Sequence, residues 1–182
     1  MRKTIAFTVL LLLTLSPTLL AQDQWLHLRV SGAEEDGEKF NLNLPLATIT
    51  ALLPSLAEKG LAEGDINIKH GDLSVEDLRS MWNSLRGQGD FQIAEIQEND
   101  MHLQVAIEGD SLVARSVEGS AKEINIQVPA VVVDALLSGE GDQLSLQAAV
   151  DALSQLGPTD MVTVSDGEKN IELWIDMTSS GN

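Results

Sequence analysis

Short segments of the chain alternate apolar and polar residues, which is the pattern of a β-strand with one buried face. Two of them have three apolar residues at the same alternate spacing, Phe40, Leu42 and Leu44 in one and Ile124, Ile126 and Val128 in the other. Pro45 and Pro129 follow directly, and a proline cannot continue a strand ladder. We therefore predict that each strand ends there and that each proline lies in the first turn of a helix.

Two further segments place apolar residues at helical spacing, 73–85 and 144–156. Ser74 and Ser145 stand at their starts, where a hydroxyl can accept hydrogen bonds from free backbone N–H groups. Gly87 and Gly157 stand just past their ends, where glycine tolerates a left-handed cap. The pattern thus predicts two capped amphipathic helices.

Segments 90–107 and 160–177 each predict a β-hairpin, and 25–31 and 111–117 each predict a preceding strand. One ββααββ unit is therefore written twice, and the first copy carries an insertion with a short predicted strand at Ile66 to Ile68. We predict an α+β fold of tandem ββααββ repeats, with antiparallel sheet or sheets and helices packed on one face. The predicted repeats span 22–109 and 110–182.

The N-terminus has the layout of a secretory signal peptide. Arg2 and Lys3 precede an apolar run over 5–15, and Ala21 supplies a small residue before a cut at Gln22. The run is shorter than the ~20 residues of a spanning helix. We predict that 1–21 is removed, and that the mature protein is periplasmic or secreted with no stable membrane insertion.

The charge and the absence of cysteine narrow the function classes. Disulfides, thiol catalysis and Cys-based zinc sites are excluded because the chain has no cysteine. The formal net charge is −17, and loss of the two basic residues in 1–21 makes it −19. Such a charge opposes binding to nucleic acid and to anionic lipid. Solubility is the simplest explanation, and a cationic partner such as a basic peptide is the sharper one.

Candidate chemistry is sparse. His27 and His102 fall at outward positions of predicted strands and His70 falls in the insertion, so we expect surface histidines and no metal site. The acidic stretch 34–38 and residues 139–142 are typical of turns and lack the spacing of a calcium-binding EF-hand loop. Ser74 is explained by capping, and no Gly-x-Ser-x-Gly or phosphate-binding glycine loop occurs. We expect no catalytic residues and no cofactor.

Two of the three tryptophans are candidates for an interaction surface. Trp82 lies on the apolar face of its predicted helix, which indicates a core position. Trp25 and Trp174 are out of phase with the apolar residues of their strands and should point away from the core. Because aromatic residues are enriched at interfaces, the pair is a candidate interaction surface, between the copies or with a partner. The alternative is partial cover by neighbouring loops.

The stretch from Trp25 to Leu53 and the charged hairpin that follows resemble a small domain of a known family. That domain lies near the N-terminus of the daptomycin-sensing surface protein family of bacterial envelope-stress responses. The resemblance covers 25–108 and, more loosely, 111–177. The family usually has a leading helical segment and a long β-rich region, which are missing here, whereas this chain has a predicted signal peptide and a second copy of the domain. We therefore expect an exported bacterial protein with two copies of a domain that resembles the family's. No catalytic residues carry over.

Three functions follow as hypotheses. The first is a non-enzymatic exported module that binds a protein partner or acts at the cell envelope. The second is a structural envelope protein that self-associates through exposed strand edges or through the surfaces of Trp25 and Trp174. The third is a small carboxylate-dependent hydrolase, for which no pair of acidic residues is singled out by the sequence.

Overall fold

The computed structural model describes residues 23–32, 39–57, 74–98 and 100–181. Within them, eight strands form one antiparallel sheet. The strands are β1 Trp25–Gly32, β2 Lys39–Pro45, β3 Phe91–Glu98, β4 Met101–Glu108, β5 Ser111–Ser116, β6 Glu123–Pro129, β7 Thr159–Ser165 and β8 Lys169–Asp176. Four helices are described: α1 Leu46–Ala57, α2 Val75–Arg86, α3 Ala130–Leu136 and α4 Leu146–Leu153. The fold is α+β in the broad sense, and the sheet dominates it.

The strand order is β2-β1-β8-β7-β6-β5-β4-β3. The first and last of the described strands, β1 and β8, therefore pair, with Leu26 opposite Ile175 and His27 opposite Trp174. Strands β3 to β8 lie side by side in chain order, and α3 and α4 form the connection between β6 and β7. The hairpin β1–β2 lies at one end of the sheet and the hairpin β3–β4 at the other, so strands from both halves of the chain build one layer.

The four helices cover one face of the sheet. At the β1–β8 end, Leu46 of α1 packs with Met161 and Ile175. At the β3–β4 end, Trp82 of α2 packs with Ile107 and Ala130. Between them, α3 and α4 bury a third cluster made of Val132, Ala149 and Ala152. The strand register places the sheet residues of all three clusters on the same face, and none of the four described helices lies on the opposite face, which we call the helix-free face.

The predicted helix starts are confirmed at the two serines. Ser74 and Asp77 form a reciprocal capping box, and the Ser145 hydroxyl accepts a hydrogen bond from the Ala148 N–H at 3.2 Å. The prediction of left-handed caps is wrong at both glycines, because Gly87 has a φ of −86° and Gly157 does not have a positive φ. Helix α2 ends at Gly87 in a right-handed conformation that residues other than glycine also adopt.

The strand-to-helix junctions lie one residue later than predicted, because each proline belongs to the strand and not to the first helical turn. Pro45 and Pro129 are the last strand residues, and α1 and α3 begin just after them. At this edge of each strand the missing N–H costs little, because the next residue already turns into a helix. Trp82 is 6% exposed and lies in the core, as its helical phase predicted.

Arg79 ties α2 to the loop that follows α3. Its guanidinium donates to the carbonyl oxygens of Leu137 at 2.7 Å, Gly139 at 2.6 Å and Gln143 at 2.8 Å. These carbonyls lie at or beyond the C-terminus of α3, where helix carbonyls lack partners within the helix. The Arg79 guanidinium thus donates hydrogen bonds to three loop carbonyls and holds α2 against the loop that follows α3.

Several sequence predictions concern residues outside the described ranges. They are the signal peptide at 1–21, the acidic stretch 34–38, the extra strand at Ile66 to Ile68 and the position of His70. Among the residues that are described, no helix is both long enough and apolar enough to cross a membrane.

Candidate functional site

The helix-free face of the sheet carries a cluster of polar and aromatic side chains where β1 meets β8. The alternation of β1 puts His27 and Arg29 on this face, between the core residues Leu26, Leu28 and Val30. Their partners across the strand pair are Trp174 and Glu172. The same two-residue period that builds the core thus also assembles this cluster.

His27 is the most enclosed polar side chain of the described chain, with 0% of its surface exposed. Its Nδ1 lies 2.6 Å from Asn43 Oδ1, and its Nε2 lies 3.0 Å from Asp176 Oδ1. Its ring stacks on the Trp174 indole with 4.9 Å between centroids and 21° between planes. The expectation of a surface histidine is therefore wrong at His27, although the predicted direction of its side chain is right.

The segment after β8 supplies the cover that the strand pattern could not indicate. It folds back over the helix-free face, so that a Cβ on Gly181 would lie 2.8 Å from Trp174 Cζ2 and 2.9 Å from His27 Nδ1. The Gly181 carbonyl accepts a hydrogen bond from Arg29. Glycine is required at this position because any side chain would collide with the ring pair.

Both ring nitrogens of His27 are engaged. In this arrangement each faces an oxygen acceptor, which requires hydrogen on both nitrogens and hence an imidazolium beside the Asp176 carboxylate. If the Asn43 amide is turned around, its NH₂ donates to Nδ1 instead and the ring is neutral. In either case His27 has no free nitrogen to offer to a substrate.

Asp176 is held ionised by its neighbours. Burial of the carboxyl raises its pKa, but hydrogen bonds from the Thr178 backbone and hydroxyl, from His27 and from Trp174 outweigh that effect and lower the pKa to about 2. The Thr178 N–H donates at 2.7 Å and its hydroxyl at 2.8 Å to Oδ1. The indole N–H of Trp174 donates to Oδ2 at 3.2 Å.

Beside this cluster an open cleft of about 260 Å³ lies over β1, β7 and β8. Its lining residues are Arg29, Asp160, Val162, Thr163, Glu172 and Trp174. The Arg29 guanidinium lies 5.0 Å from the Trp174 ring centroid and 3.1 Å from Glu172 Oε2. Asp160 has no ion pair and no side-chain hydrogen bond with any residue that the structure describes.

The two tryptophans of the surface hypothesis lie on the same face but have different roles. Trp174 is half-buried, contacts His27 and Arg29, and lines the cleft. Trp25 lies opposite Asp176 and Pro45 at the start of β1, is half-buried, and does not line the cleft. Their role as an interaction surface stays a prediction.

The other described histidine lies far along the same face. His102 pairs with Glu95 at 2.5 Å, and its side chain is 29% exposed. The two described histidines do not converge, and no group of three or more His, Asp or Glu residues in the described ranges could hold a metal ion. Alternation predicted the outward direction of Trp174, but nothing in the sequence showed that Arg29, Asp160 and Glu172 would join it in a cleft.

Comparisons with protein-family models, with curated proteins and with solved structures each found no match for this chain.

Proposed function

We propose that this protein is an exported, non-enzymatic binding module, periplasmic or secreted, whose cleft beside Trp174 holds a cationic segment of a partner such as a basic peptide. One observation carries the proposal. The cleft combines an indole with the carboxylate of Asp160, which is free of ion pairs within the described chain, while Arg29 is already held by Glu172.

The charges of the cleft favour a cation over an anion. An anionic ligand would have to displace Glu172 and the Gly181 carbonyl from Arg29, whereas a lysine or arginine side chain could reach Asp160 directly. The half-buried indole adds apolar surface against which the methylene groups of a lysine or arginine side chain can pack. The net charge of −17 would also attract a basic partner over a longer range and speed its association.

The support beneath the cleft favours recognition by a preformed site. Trp174 is fixed by stacking on fully buried His27 and by its hydrogen bond to Asp176. A side chain that is already immobilised loses little conformational entropy when a ligand docks against it.

The same geometry gives less support to a hydrolase. His27 has no ring nitrogen available for proton transfer, and Glu172 is engaged by Arg29. The cleft therefore presents Asp160 without a second free carboxylate of the kind that paired acid–base chemistry needs. Binding without turnover is the simpler proposal.

We also propose that the chain arose by duplication of a ββααββ unit. The two halves have the same order of elements, their second helices are both capped by serine, and their second strands both end in proline. Kinship with the daptomycin-sensing surface protein family remains part of this proposal, and it would place the module at a bacterial cell envelope.

The binding proposal is tested by following the indole N–H signals in NMR spectra of the mature chain. The chain has three tryptophans, and Trp25→Phe and Trp174→Phe variants assign their signals. Short lysine- and arginine-containing peptides are then titrated, with their acetylated or citrulline forms as uncharged controls. We expect the Trp174 signal to shift with the charged peptides, and the buried Trp82 signal to stay fixed.

Asp160→Asn should weaken that binding about fivefold or more, because the cleft loses its free carboxylate. Glu118→Gln is the matched control, since it removes one exposed carboxylate from the turn before β6, outside the cleft. Equal effects of the two variants would mean that only net charge matters, and an unmoved Trp174 signal with every peptide would overturn the proposal.

A further inference from the structure

The two edge strands of the sheet share an unusual exposure of apolar residues. Within the described chain, β2 pairs only with β1 and β3 pairs only with β4. Phe40 on β2 is 53% exposed, and Ile96 on β3 is 45% exposed. Both point to the helix side of the sheet, where a neighbouring strand would cover them. Folded proteins usually protect such edges, since they can pair with other chains.

The contact between β6 and β7 shows how two strands of this kind pair within the fold. Strand β6 ends in proline and leads into a helix, as β2 does, and β7 follows a helix and begins a hairpin, as β3 does. In that contact Ile124 lies opposite Val164 and Glu123 lies opposite Ser165. The two prolines align β2 with β6, and the bulged hairpins align β3 with β7, so that Phe91 corresponds to Thr159 and Ile96 to Val164.

Transferring the β6–β7 register to the edges gives a complementary pair. Phe40 would lie directly opposite Ile96, and Leu42 opposite Ala94, with all four side chains on the helix side of the sheet. Lys39 would lie opposite Gln97 on the helix-free face with Glu95 as its diagonal neighbour, and cross-strand neighbours of opposite charge attract. The register thus joins the two exposed apolar side chains and the one lysine of β2 with an acid of β3.

We propose that β2 of one molecule pairs antiparallel with β3 of a second copy of this chain, in the register of β6 with β7. The main chains supply the hydrogen bonds of an added strand, and Phe40, Ile96 and the Lys39–Glu95 pair supply the specificity. This self-association uses neither Trp174 nor the cleft, so it goes beyond the binding function proposed above.

A second copy fits better than closure within one molecule. In the described sheet β2 and β3 are the two opposite edges and do not pair with each other, so both edges stay open within one molecule. Because the contact joins two different edges, each molecule offers one of each. Two molecules can close such a contact reciprocally, and an unclosed arrangement extends into a filament.

Sedimentation velocity of the mature chain over a wide concentration range is the first test. We expect a reversible, concentration-dependent shift to dimers or longer species, strengthened by moderate salt because salt screens the repulsion between acidic molecules. Phe40→Glu and Ile96→Glu should each weaken association about tenfold or more, because a charge replaces an apolar contact.

Leu52→Glu on α1 is the matched control, since Leu52 is as exposed as Phe40 but lies off the edge strands, and it should leave association unchanged. The circular dichroism of each variant checks that its fold is intact. A protein that stays monomeric throughout, or association that survives both edge variants, would overturn the proposal.

A charge exchange tests the register independently of folding. Lys39→Glu alone sets two acids against each other, and Glu95→Lys alone sets two lysines against each other, so each variant should associate less than wild type. In an equimolar mixture both contacts regain opposite charges, and we expect association to recover. If the mixture behaves as the average of its components, the register is wrong.

The two proposals fail separately. Peptide binding at Trp174 in a permanently monomeric protein would leave the binding module and overturn the edge pairing. Edge-dependent association with no peptide response would support the edge pairing and overturn the binding module.

Discussion

A histidine–carboxylate pair lies near each end of the helix-free face, and its histidine is fully buried at one end and partly exposed at the other. Near β1 and β8, His27 meets Asp176 with 0% of the histidine side chain exposed. Near β3 and β4, His102 meets Glu95 with 29% of the histidine and 55% of the glutamate exposed. Both histidines occupy outward positions of strands, and both contact a carboxylate.

The difference between the ends comes from what lies around the strands. His27 is flanked by β2 on one side and β8 on the other, stacked against Trp174, and covered by the segment that ends in Gly181. His102 has an edge strand beside it and no aromatic stacking partner in the described chain. The direction of a side chain is thus decided locally, whereas its burial is decided by distant segments.

The largest test of this comparison removes the buried ring. His27→Ala should lower the free energy of unfolding by about 3 kcal/mol, because it leaves Asn43 and Asp176 without their partner and opens a hole beside Trp174. Urea unfolding monitored by circular dichroism measures it. His102→Ala should change stability little, and similar losses for both variants would show that the cover over His27 contributes nothing.

Acid is the second test, because Asp176 has a pKa of about 2 in the folded protein against an ordinary value of 3.8. A lowered pKa stabilises the fold fully above the ordinary value, and the stabilisation disappears as pH falls from about 4 to about 2. The loss for this group is roughly 2 kcal/mol.

Wild-type and Asp176→Asn proteins should therefore differ in stability near neutral pH and converge near pH 2. Denaturant unfolding at several pH values follows the difference. Curves that stay parallel over this range would contradict the ionised state that we assign to Asp176.

The third test adds one methyl group to the cover. A Cβ at Gly181 would lie 2.8 Å from Trp174 and 2.9 Å from His27, so Gly181→Ala should push the segment away at a cost of about 1 kcal/mol. Gly157→Ala is the control, since nothing lies within 4 Å of its Cβ. Thermal unfolding compares them, and faster modification of His27 by diethylpyrocarbonate in Gly181→Ala would locate the change.

The smallest effect is expected at an exposed ion pair on the same face. Arg115 contacts Glu108 with 44% and 48% of the two side chains exposed, so Arg115→Ala should cost about 0.5 kcal/mol or less. Arg29→Ala should cost more, because Arg29 also lies over Trp174 and holds the Gly181 carbonyl. Equal costs measured by urea unfolding would remove the distinction between covered and open ends.

The sequence predicted the elements well because their patterns are local. Alternation located the strands, the serines located two helix starts, and helical phase placed Trp82 in the core. The left-handed cap at Gly87 was predicted wrongly, because glycine permits that conformation without requiring it.

Strand order and the site depended on long-range pairing, which alternation does not encode. Nothing in the strand containing Trp25 indicates that Asp176 will be its neighbour, and nothing near Asp160 indicates a cleft with Arg29. The outward direction of Trp174 followed from its phase, whereas the burial of His27 required Gly181, more than a hundred residues away.

The pairing of β1 with β8 also has a kinetic consequence. Trp25 meets Asp176 across the pair, so almost the whole chain is the loop that this contact closes. Contacts of such sequence separation slow folding, and a chain that emerges N-terminus first has no native neighbour for the outer side of β1 until its last strand is complete. The N-terminal hairpin should dock last. The β1–β8 pair can form only after β8 has been synthesised, so the sheet of the described residues stays incomplete until then.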